Sequence, residues 1–337
     1  MHSNSSLNVF ANCMKRYEHQ YILKTPTTKP ISPHFVFGSM AHDVLYKAGN
    51  LRDLSSDGVV SKDEYYSIIP SEILYGDLKR EFEIHSWEKY FYEVIKATSE
   101  YENEIIKGIR VCDDVSPITV LREHTVQLTG YELDALGIKN IKDGIKGIID
   151  LLVMSENFAT IIDYKFSNNK KTQDDFDMNS QLQLYAMLVH LIYNIPLRNI
   201  QIGYIDIPKQ DMHTPIVLSN GTLSRAKSQN ISQKMYENAV KAVHGDNDEK
   251  YNCNPDGYYY DVWCYMALNK PAYFQTQYLD MSAYKGITGD LLDTAVFIEI
   301  MKERKYKFLC KYDSYSCKTC DFLDTCKPWL KVRGDFE

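Results

Sequence analysis

Two aspartates set in strongly apolar sequence constrain this chain more than any other feature. Asp150 is the last residue of Gly-Ile-Ile-Asp (147–150), and Asp163 is the first residue of Asp-Tyr-Lys (163–165). The polar stretch Ser-Glu-Asn (155–157) lies midway between them. If Glu156 and Asn157 form a two-residue turn, residues equally distant from that turn are paired, so that Asp150 faces Asp163 directly. Directly opposed side chains of an antiparallel pair have Cβ atoms about 4.5–5.5 Å apart.

Two opposed carboxylates in an apolar setting require a partner. The isoleucines and leucines around them predict strands that are buried on both faces, where like charges destabilise the fold unless a proton or a cation lies between them. Mg²⁺ or Mn²⁺ prefers oxygen ligands and would remove this repulsion. Lys165 lies two residues beyond Asp163 and therefore on the same face. An ion pair from Lys165 or Lys146 to one aspartate, without a metal, remains an alternative at this point.

Polar residues at helical spacing occur before and after this hairpin. Gly38-x-x-x-His42 is predicted to begin a helix, and an imidazole is a plausible third ligand for manganese or magnesium. Gln181 and Tyr185 lie four residues apart on one face of the helix that follows the Asp-Tyr-Lys strand. Spacing alone favours the simpler interpretations, a structural histidine and an ordinary amphipathic helix.

The chain has eight cysteines, and three of them form a compact C-x2-C-x5-C cluster at Cys317, Cys320 and Cys326. Close thiols predict a metal centre, and tetrahedral sites take four ligands. A nearby thiol such as Cys310 would complete a zinc site. Because the spacing matches neither standard ferredoxin pattern, spacing alone leaves zinc and iron–sulfur open.

Six motifs, taken in order along nearly the whole chain, resemble the RecB-like branch of the PD-(D/E)XK nuclease superfamily. Within that branch they resemble the iron–sulfur nucleases, which are the AddB-type nuclease domain and the CRISPR-associated RecB-like exonucleases. The motifs are F-x-x-C (Phe10 to Cys13), G-x-x-x-H (Gly38 to His42), G-x-x-D (Gly147 to Asp150), D-Y-K (Asp163 to Lys165), Q-x-x-x-Y (Gln181 to Tyr185) and C-x2-C-x5-C (Cys317 to Cys326). One departure is Met14, which follows the first cysteine where the family often has proline.

The resemblance implies a metal site in which His42, Asp150 and Asp163 hold Mg²⁺ or Mn²⁺, assisted by the Tyr164 carbonyl. Lys165 would orient or activate the attacking water. Asp150, Asp163 and Lys165 would therefore be the catalytic residues of a phosphodiester hydrolase.

The resemblance also assigns the remaining motifs. Gln181 and Tyr185 would contact the DNA backbone or support the site. The first cysteine motif would supply the fourth ligand of a [4Fe–4S] cluster that joins the two termini. The cluster ligands would be Cys13, Cys317, Cys320 and Cys326.

The pattern of apolar residues predicts α+β architecture, and the resemblance implies that this architecture is of the restriction-endonuclease-like kind. A small mixed β-sheet would lie within a largely helical shell. The predicted strands are 118–128, 145–154, 158–166 and 199–207. The predicted segments are an N-terminal helix with the first cysteine (1–35), a mostly helical region with His42 (36–116), the nuclease core (117–245) and a C-terminal helical region with the cysteine cluster (246–337).

The net charge of −7 argues by itself against a nucleic-acid partner, but binding depends on local patches. Basic residues between 302 and 311 alternate with Tyr306, Phe308 and the following Tyr312, a pattern that could track and stack single-stranded DNA. We therefore predict a DNA exonuclease that acts on single strands or duplex ends, working with a separate helicase or recombination protein. The alternative is a non-cleaving iron–sulfur subunit of a helicase–nuclease complex that binds DNA. The sequence has no transmembrane run and no N-terminal targeting pattern, which predicts a cytoplasmic protein.

Overall fold

A five-stranded mixed sheet forms the centre of the molecule. The computed structural model describes residues 1–27, 33–54, 61–69, 87–166, 172–207, 216–227, 233–245, 248–266, 272–311 and 314–326. The strands are β1 (Thr119–Leu128), β2 (Ile145–Met154), β3 (Ala159–Phe166), β4 (Ile200–Ile207) and β5 (Tyr273–Tyr278). They lie side by side in chain order, and all neighbours are antiparallel except the parallel pair β3–β4.

Helices precede, connect and follow the strands. Those before the sheet are α1 (Asn4–Asn12), α2 (Met14–Tyr17), α3 (Pro33–Leu54), α4 (Lys62–Ser67) and α5 (Trp87–Cys112), with a π-helical turn at Glu18–Ile22. Those within and after it are α6 (Gly130–Ala135), α7 (Gln173–Asp177), α8 (Ser180–Tyr193), α9 (Gln233–His244), α10 (Tyr260–Met266), α11 (Met281–Glu303) and α12 (Ser314–Thr319), with a 3₁₀ turn at Leu197–Asn199. In the ranges that the structure describes, no helix is both long and apolar enough to cross a membrane.

The two faces of the sheet pack against different helices. On one face Leu152 and Ile161 join a core that includes α8 and α11. On the other face Leu151 and Ile162 join a core built with α3 and α5. Alternate residues of each strand are therefore buried on opposite faces, which explains the nearly continuous apolar sequence of β2 and β3. The α+β prediction is confirmed.

The register of the β2–β3 hairpin is the one that its turn predicts. The Ser155 N–H donates to the Phe158 carbonyl at 2.9 Å, which closes a turn around two central residues. Leu151 then pairs with Ile162, and the pairing continues to the turn without a slip. Because a one-residue slip would turn one carboxylate to the other face of the sheet, this register decides the geometry of the site.

Several predicted boundaries are corrected. The first helix, capped by Ser3, ends at Asn12, so the predicted N-terminal helix breaks at the first cysteine, Cys13, instead of continuing through it. Gly38 lies inside α3 rather than at its start. Strand β5 has no predicted counterpart. The predicted helical stretch between α4 and α5 falls at 70–86, outside the described residues.

Candidate active site

An opening between β2 and β3 begins where the pairing of the two strands ends. The last pair is Leu151–Ile162, and Asp150 and Asp163 are the next residues. The Tyr164 N–H donates to Asp150 Oδ2 at 2.6 Å, so a side chain takes the place of a strand carbonyl. Strand β3 remains paired with β4 as far as its last residue. The two carboxylates therefore lie where the pairing of β3 with β2 ends while its pairing with β4 continues.

Asp163 is the most deeply buried acid of the site, with 2% of its surface exposed. Gln181 Nε2 donates to its Oδ1 at 2.9 Å, and Lys165 forms an ion pair with its Oδ2. Burial and, after it, the charge of Asp150 raise the pKa of Asp163 to about 6, against the opposing effect of Lys165. The two aspartates therefore repel one another when both are ionised.

Gln181 and Tyr185 of α8 form a chain of hydrogen bonds that begins at Asp163. The Gln181 amide nitrogen donates to the Tyr185 hydroxyl at 3.0 Å as well as to Asp163. Tyr185 is buried against β2, where a Cβ built on Gly147 would lie 2.5 Å from its ring carbon Cε1. Glycine is therefore required at the start of the G-x-x-D motif to let the tyrosine ring approach.

His42 approaches Asp150 from α3. Its Nδ1 lies 3.3 Å from Asp150 Oδ1 and 3.4 Å from Glu123 Oε1. Burial lowers the pKa of His42, but the hydrogen bonds to Asp150 and Glu123 outweigh that effect and raise it to about 10. His42, Asp150 and Glu123 each present a ligand atom, and these atoms lie within 4.8 Å of one another.

Glu123 is a site residue that the sequence prediction missed. It lies in β1, opposite Asp150, and has a φ of 47° although the residues on either side keep the β1–β2 register. A left-handed backbone at a non-glycine residue costs on the order of 1–3 kcal/mol and is retained where the surroundings enforce it. Here the unusual backbone brings a carboxylate next to His42.

A charged network that is buried except at Asp53 holds β1 against the helices that flank the site. Arg122, the neighbour of Glu123, forms ion pairs with Glu102 of α5 and with Asp53 of α3, the latter at 2.5 Å between Nη1 and Oδ2. Arg52 also pairs with Glu102. Because both ends of the network are anchored, the strand that carries Glu123 is fixed relative to the helix that carries His42.

The candidate site opens to solvent through a cleft of about 480 Å³. Along α3 this cleft is lined by Phe35, Gly38, Ser39 and His42. The sheet contributes charged residues, among them Lys165, whose side chain is about one-third exposed. A polar ligand can therefore reach the charged groups from outside.

A second cavity, of about 180 Å³, gathers the cysteines. It is lined by Cys13, from the break between α1 and α2, and by Cys317, Cys320 and Cys326 from the C-terminal segment. Cys310 also lines it and hydrogen-bonds Cys317; burial, followed by the proximity of Cys310, raises the pKa of Cys317 to about 11. The structure thus brings the four predicted cluster ligands and one further thiol around one cavity.

Contacts on both sides of this cavity hold the two ends of the chain together. Arg16 forms an ion pair with Asp321 at 3.1 Å. The His19 ring stacks on Phe322 with 5.4 Å between the ring centroids. These contacts fix the N-terminal helices against the segment that carries the three clustered cysteines.

Two of the basic and aromatic residues at the end of α11 and after it are not available for the stacking surface that their sequence suggests. Phe308 is only 6% exposed and packs in the core, and Lys302 Nζ is bonded to Asp143 at 2.6 Å. Tyr306 is exposed, while Tyr312 lies outside the described residues. The expectation of base stacking on Phe308 is wrong, because burial in the core removes its ring from solvent.

A family model of the PD-(D/E)XK nuclease superfamily matches residues 2–327. The chain belongs to the PD-(D/E)XK nuclease superfamily. Among curated proteins no relative matches it. The mixed sheet with its helices is therefore the core of a restriction-endonuclease-like α+β fold. Nucleases of this superfamily hydrolyse phosphodiester bonds of DNA with divalent metal ions.

Proposed function

We propose that this member of the superfamily is a metal-dependent DNA exonuclease of the RecB-like, iron–sulfur branch, acting on single strands or duplex ends. One observation carries the proposal. Asp150 and Asp163 come together in a buried opening of the sheet, and each is contacted by a motif residue, Asp150 by His42 and Asp163 by Lys165. The four side chains converge from α3, β2 and β3.

The donor set of this opening suits a hard divalent ion. His42, Asp150 and Asp163, with the Tyr164 carbonyl, would hold Mg²⁺ or Mn²⁺. We add Glu123 as a further ligand, because its carboxylate lies with His42 and Asp150 in one group of close ligand atoms, from which Asp163, paired with Lys165, is absent. The repulsion that raises the pKa of Asp163 supports this assignment, because a cation among these carboxylates would remove it. The ion pair with Lys165 neutralises the charge of Asp163 only and leaves the charge of Asp150 without a lysine partner in that pair.

In hydrolysis the ion and the protein side chains would have different roles. When bound, the ion lowers the pKa of water and neutralises charge on the scissile phosphate. Lys165, partly exposed in the cleft, would hold the attacking water by its ammonium group. Gln181 would fix the Asp163 carboxylate by donating to Oδ1, which leaves the other oxygen facing Lys165. Tyr185 in turn accepts from Gln181 and keeps that amide in place.

We further propose that the thiol cavity holds a [4Fe–4S] cluster on Cys13, Cys317, Cys320 and Cys326. The meeting of these four thiols, with Cys310, at one cavity supports it. Within the described ranges, the groups of close metal-type ligands contain no cysteine, so the proposal rests on the four motif thiols that line one cavity.

The test is a cleavage assay on DNA labelled at the 5′ or the 3′ end, as single and as double strands, with Mg²⁺, Mn²⁺ or EDTA. We expect stepwise loss of nucleotides from an end with either metal and none with EDTA. Cleavage of closed circular DNA would contradict the exonuclease assignment. Purified protein that binds DNA but cuts with neither metal would instead be the non-cleaving subunit of a helicase–nuclease complex.

Glu123→Gln tests the added ligand. A carboxamide is a poorer ligand than a carboxylate for a hard cation, so the Mn²⁺ concentration for half-maximal cleavage should rise by about tenfold or more. The measurement is cleavage rate against Mn²⁺ concentration, with Mn²⁺ binding measured by calorimetry. Glu104→Gln, an exposed acid on α5, is the control and should behave like the wild type. An unchanged metal dependence of Glu123→Gln would leave that residue without a role in holding the ion.

A further inference from the structure

The face of α3 that lines the cleft differs from the face that packs on the sheet. Phe37, Ala41 and Val44 are fully buried in the core. Phe35, two residues before Phe37, lines the cleft and is 71% exposed. Burying a phenylalanine side chain is worth about 1.5–3 kcal/mol, so an exposed ring at the mouth of a polar cleft forgoes stabilisation that its neighbour obtains.

The residues between Phe35 and His42 leave room for a ligand. Phe35, Ser39 and His42 follow one another at helical spacing along the cleft. Gly38 lies on the same wall, and a Cβ built on it would meet nothing within 4 Å. Packing within the protein therefore does not require glycine there, and its bare backbone widens the cleft.

The cleft is chemically divided along its length. The charged groups His42, Glu123 and Lys165 lie at one part of its wall, and Phe35 lies two helical turns, about 10 Å, before His42 along α3. A nucleotide chain has the same division, with charged phosphates and flat aromatic bases. Stacking of a base on an exposed aromatic ring is worth about 1–3 kcal/mol and is independent of sequence.

We propose that Phe35 stacks on an unpaired base of the DNA, one or two nucleotides from the phosphate at the charged end, while Gly38 gives the sugar–phosphate chain room to pass. This inference rests on the proposed function and names the form of the substrate. A base can lie on Phe35 only when it is free of its complement, so the residue selects single-stranded ends over intact duplex.

The test measures binding separately from cleavage. Fluorescence anisotropy with a labelled oligo-thymidine, with Ca²⁺ in place of Mg²⁺, gives the Kd of the wild type, Phe35→Ala and Phe35→Trp. Phe35→Ala should raise Kd about fivefold or more, with an unchanged dependence on salt because no charge is lost, and Phe35→Trp should restore binding. Tyr131→Ala removes an exposed ring on α6, 84% exposed, and should leave Kd unchanged.

A scan of abasic sites along the oligonucleotide locates the contact. A missing base at one position should weaken binding to the wild type and add nothing to the loss caused by Phe35→Ala. The inference is overturned if the Kd of Phe35→Ala lies within twofold of the wild-type Kd, or if Tyr131→Ala loses as much affinity as Phe35→Ala. It is also overturned if every abasic site that weakens binding to the wild type weakens binding to Phe35→Ala as well. If the wild type cuts DNA and Phe35→Ala binds normally, only this inference fails. If the wild type neither cuts nor binds, the proposed function fails with it.

Discussion

Asp163→Asn is expected to abolish metal-dependent cleavage, reducing the rate by about a thousandfold or more. The substitution keeps an oxygen that can accept from Gln181 but removes the negative charge that faces Lys165 and the ion. The same change should not unfold the protein. The pKa of Asp163 is raised to about 6, so its ionised form is disfavoured in the fold, and a neutral side chain of the same shape removes that cost.

Thermal unfolding separates these two effects. In EDTA at neutral pH, Asp163→Asn should melt at the wild-type temperature or above it. Mn²⁺ should raise the melting temperature of the wild type, because a ligand that binds only the folded state stabilises it, and should raise that of the variant much less. The site assignment would be refuted by a variant that still cuts at a comparable rate.

Asp143→Asn is the control, because Asp143 belongs with His2 and Glu299 to the second group of close metal-type ligands among the described residues, the first being His42, Asp150 and Glu123. In that group Lys302 is already bonded to Asp143, and His2 to Glu299 at 2.8 Å. We expect full cleavage and a normal Mn²⁺ response from Asp143→Asn. If Asp143 rather than Asp163 controlled metal-dependent cleavage, the metal would lie at the end of the sheet near α11.

The sequence predicts the hairpin of the site well because its turn is short. A two-residue turn leaves a single register, and the pattern of apolar residues excludes a slip that would expose one face. The amino-acid sequence alone therefore suffices to predict the register up to Leu151–Ile162, the pair next to the two aspartates, but not the opening of the strands at Asp150 and Asp163. The partners that the motifs supply, His42 and Gln181, come from helices, and only the resemblance to a family indicated that they would meet the acids.

Glu123 could not be found in this way. The connection between β1 and β2 spans residues 129–144 and includes a short helix, so no turn fixes which residue of β1 faces Asp150. Its left-handed backbone also has no signature in the sequence, because glutamate rarely adopts it. Strand β5 was missed for a related reason, since its tyrosines and glutamines are all partly exposed and give no buried alternation.

The same limit applies to the cysteines, whose spacing leaves the metal undecided. The described structure adds that Cys13 reaches the cavity of the C-terminal thiols and that a fifth thiol, Cys310, is present there. Cys310 follows α11, and the Lys15 N–H donates to the neighbouring Leu309 carbonyl at 2.9 Å. Five thiols around one cavity make the choice of the four ligands an experimental question.

Cys13→Ser is expected to lower the melting temperature on the order of 10 °C and to remove the brown colour, with its absorption near about 400 nm, together with the bound iron and sulfide. A cluster that joins Cys13 to Cys317 closes a loop of about 300 residues, and by analogy with other crosslinks this constraint is worth about 4–5 kcal/mol. Cys112→Ser, an exposed cysteine outside the cavity, should leave both colour and stability unchanged.

Cys310→Ser tests whether Cys310 is one of the cluster ligands. We expect this variant to keep the iron, because the motif ligands already number four. A colourless wild type that contains zinc, or iron that is lost from Cys310→Ser but kept by Cys13→Ser, would contradict the proposed ligands. In the second case the crosslink would still lie within the C-terminal segment, and the large loop closure, with the stability derived from it, would disappear.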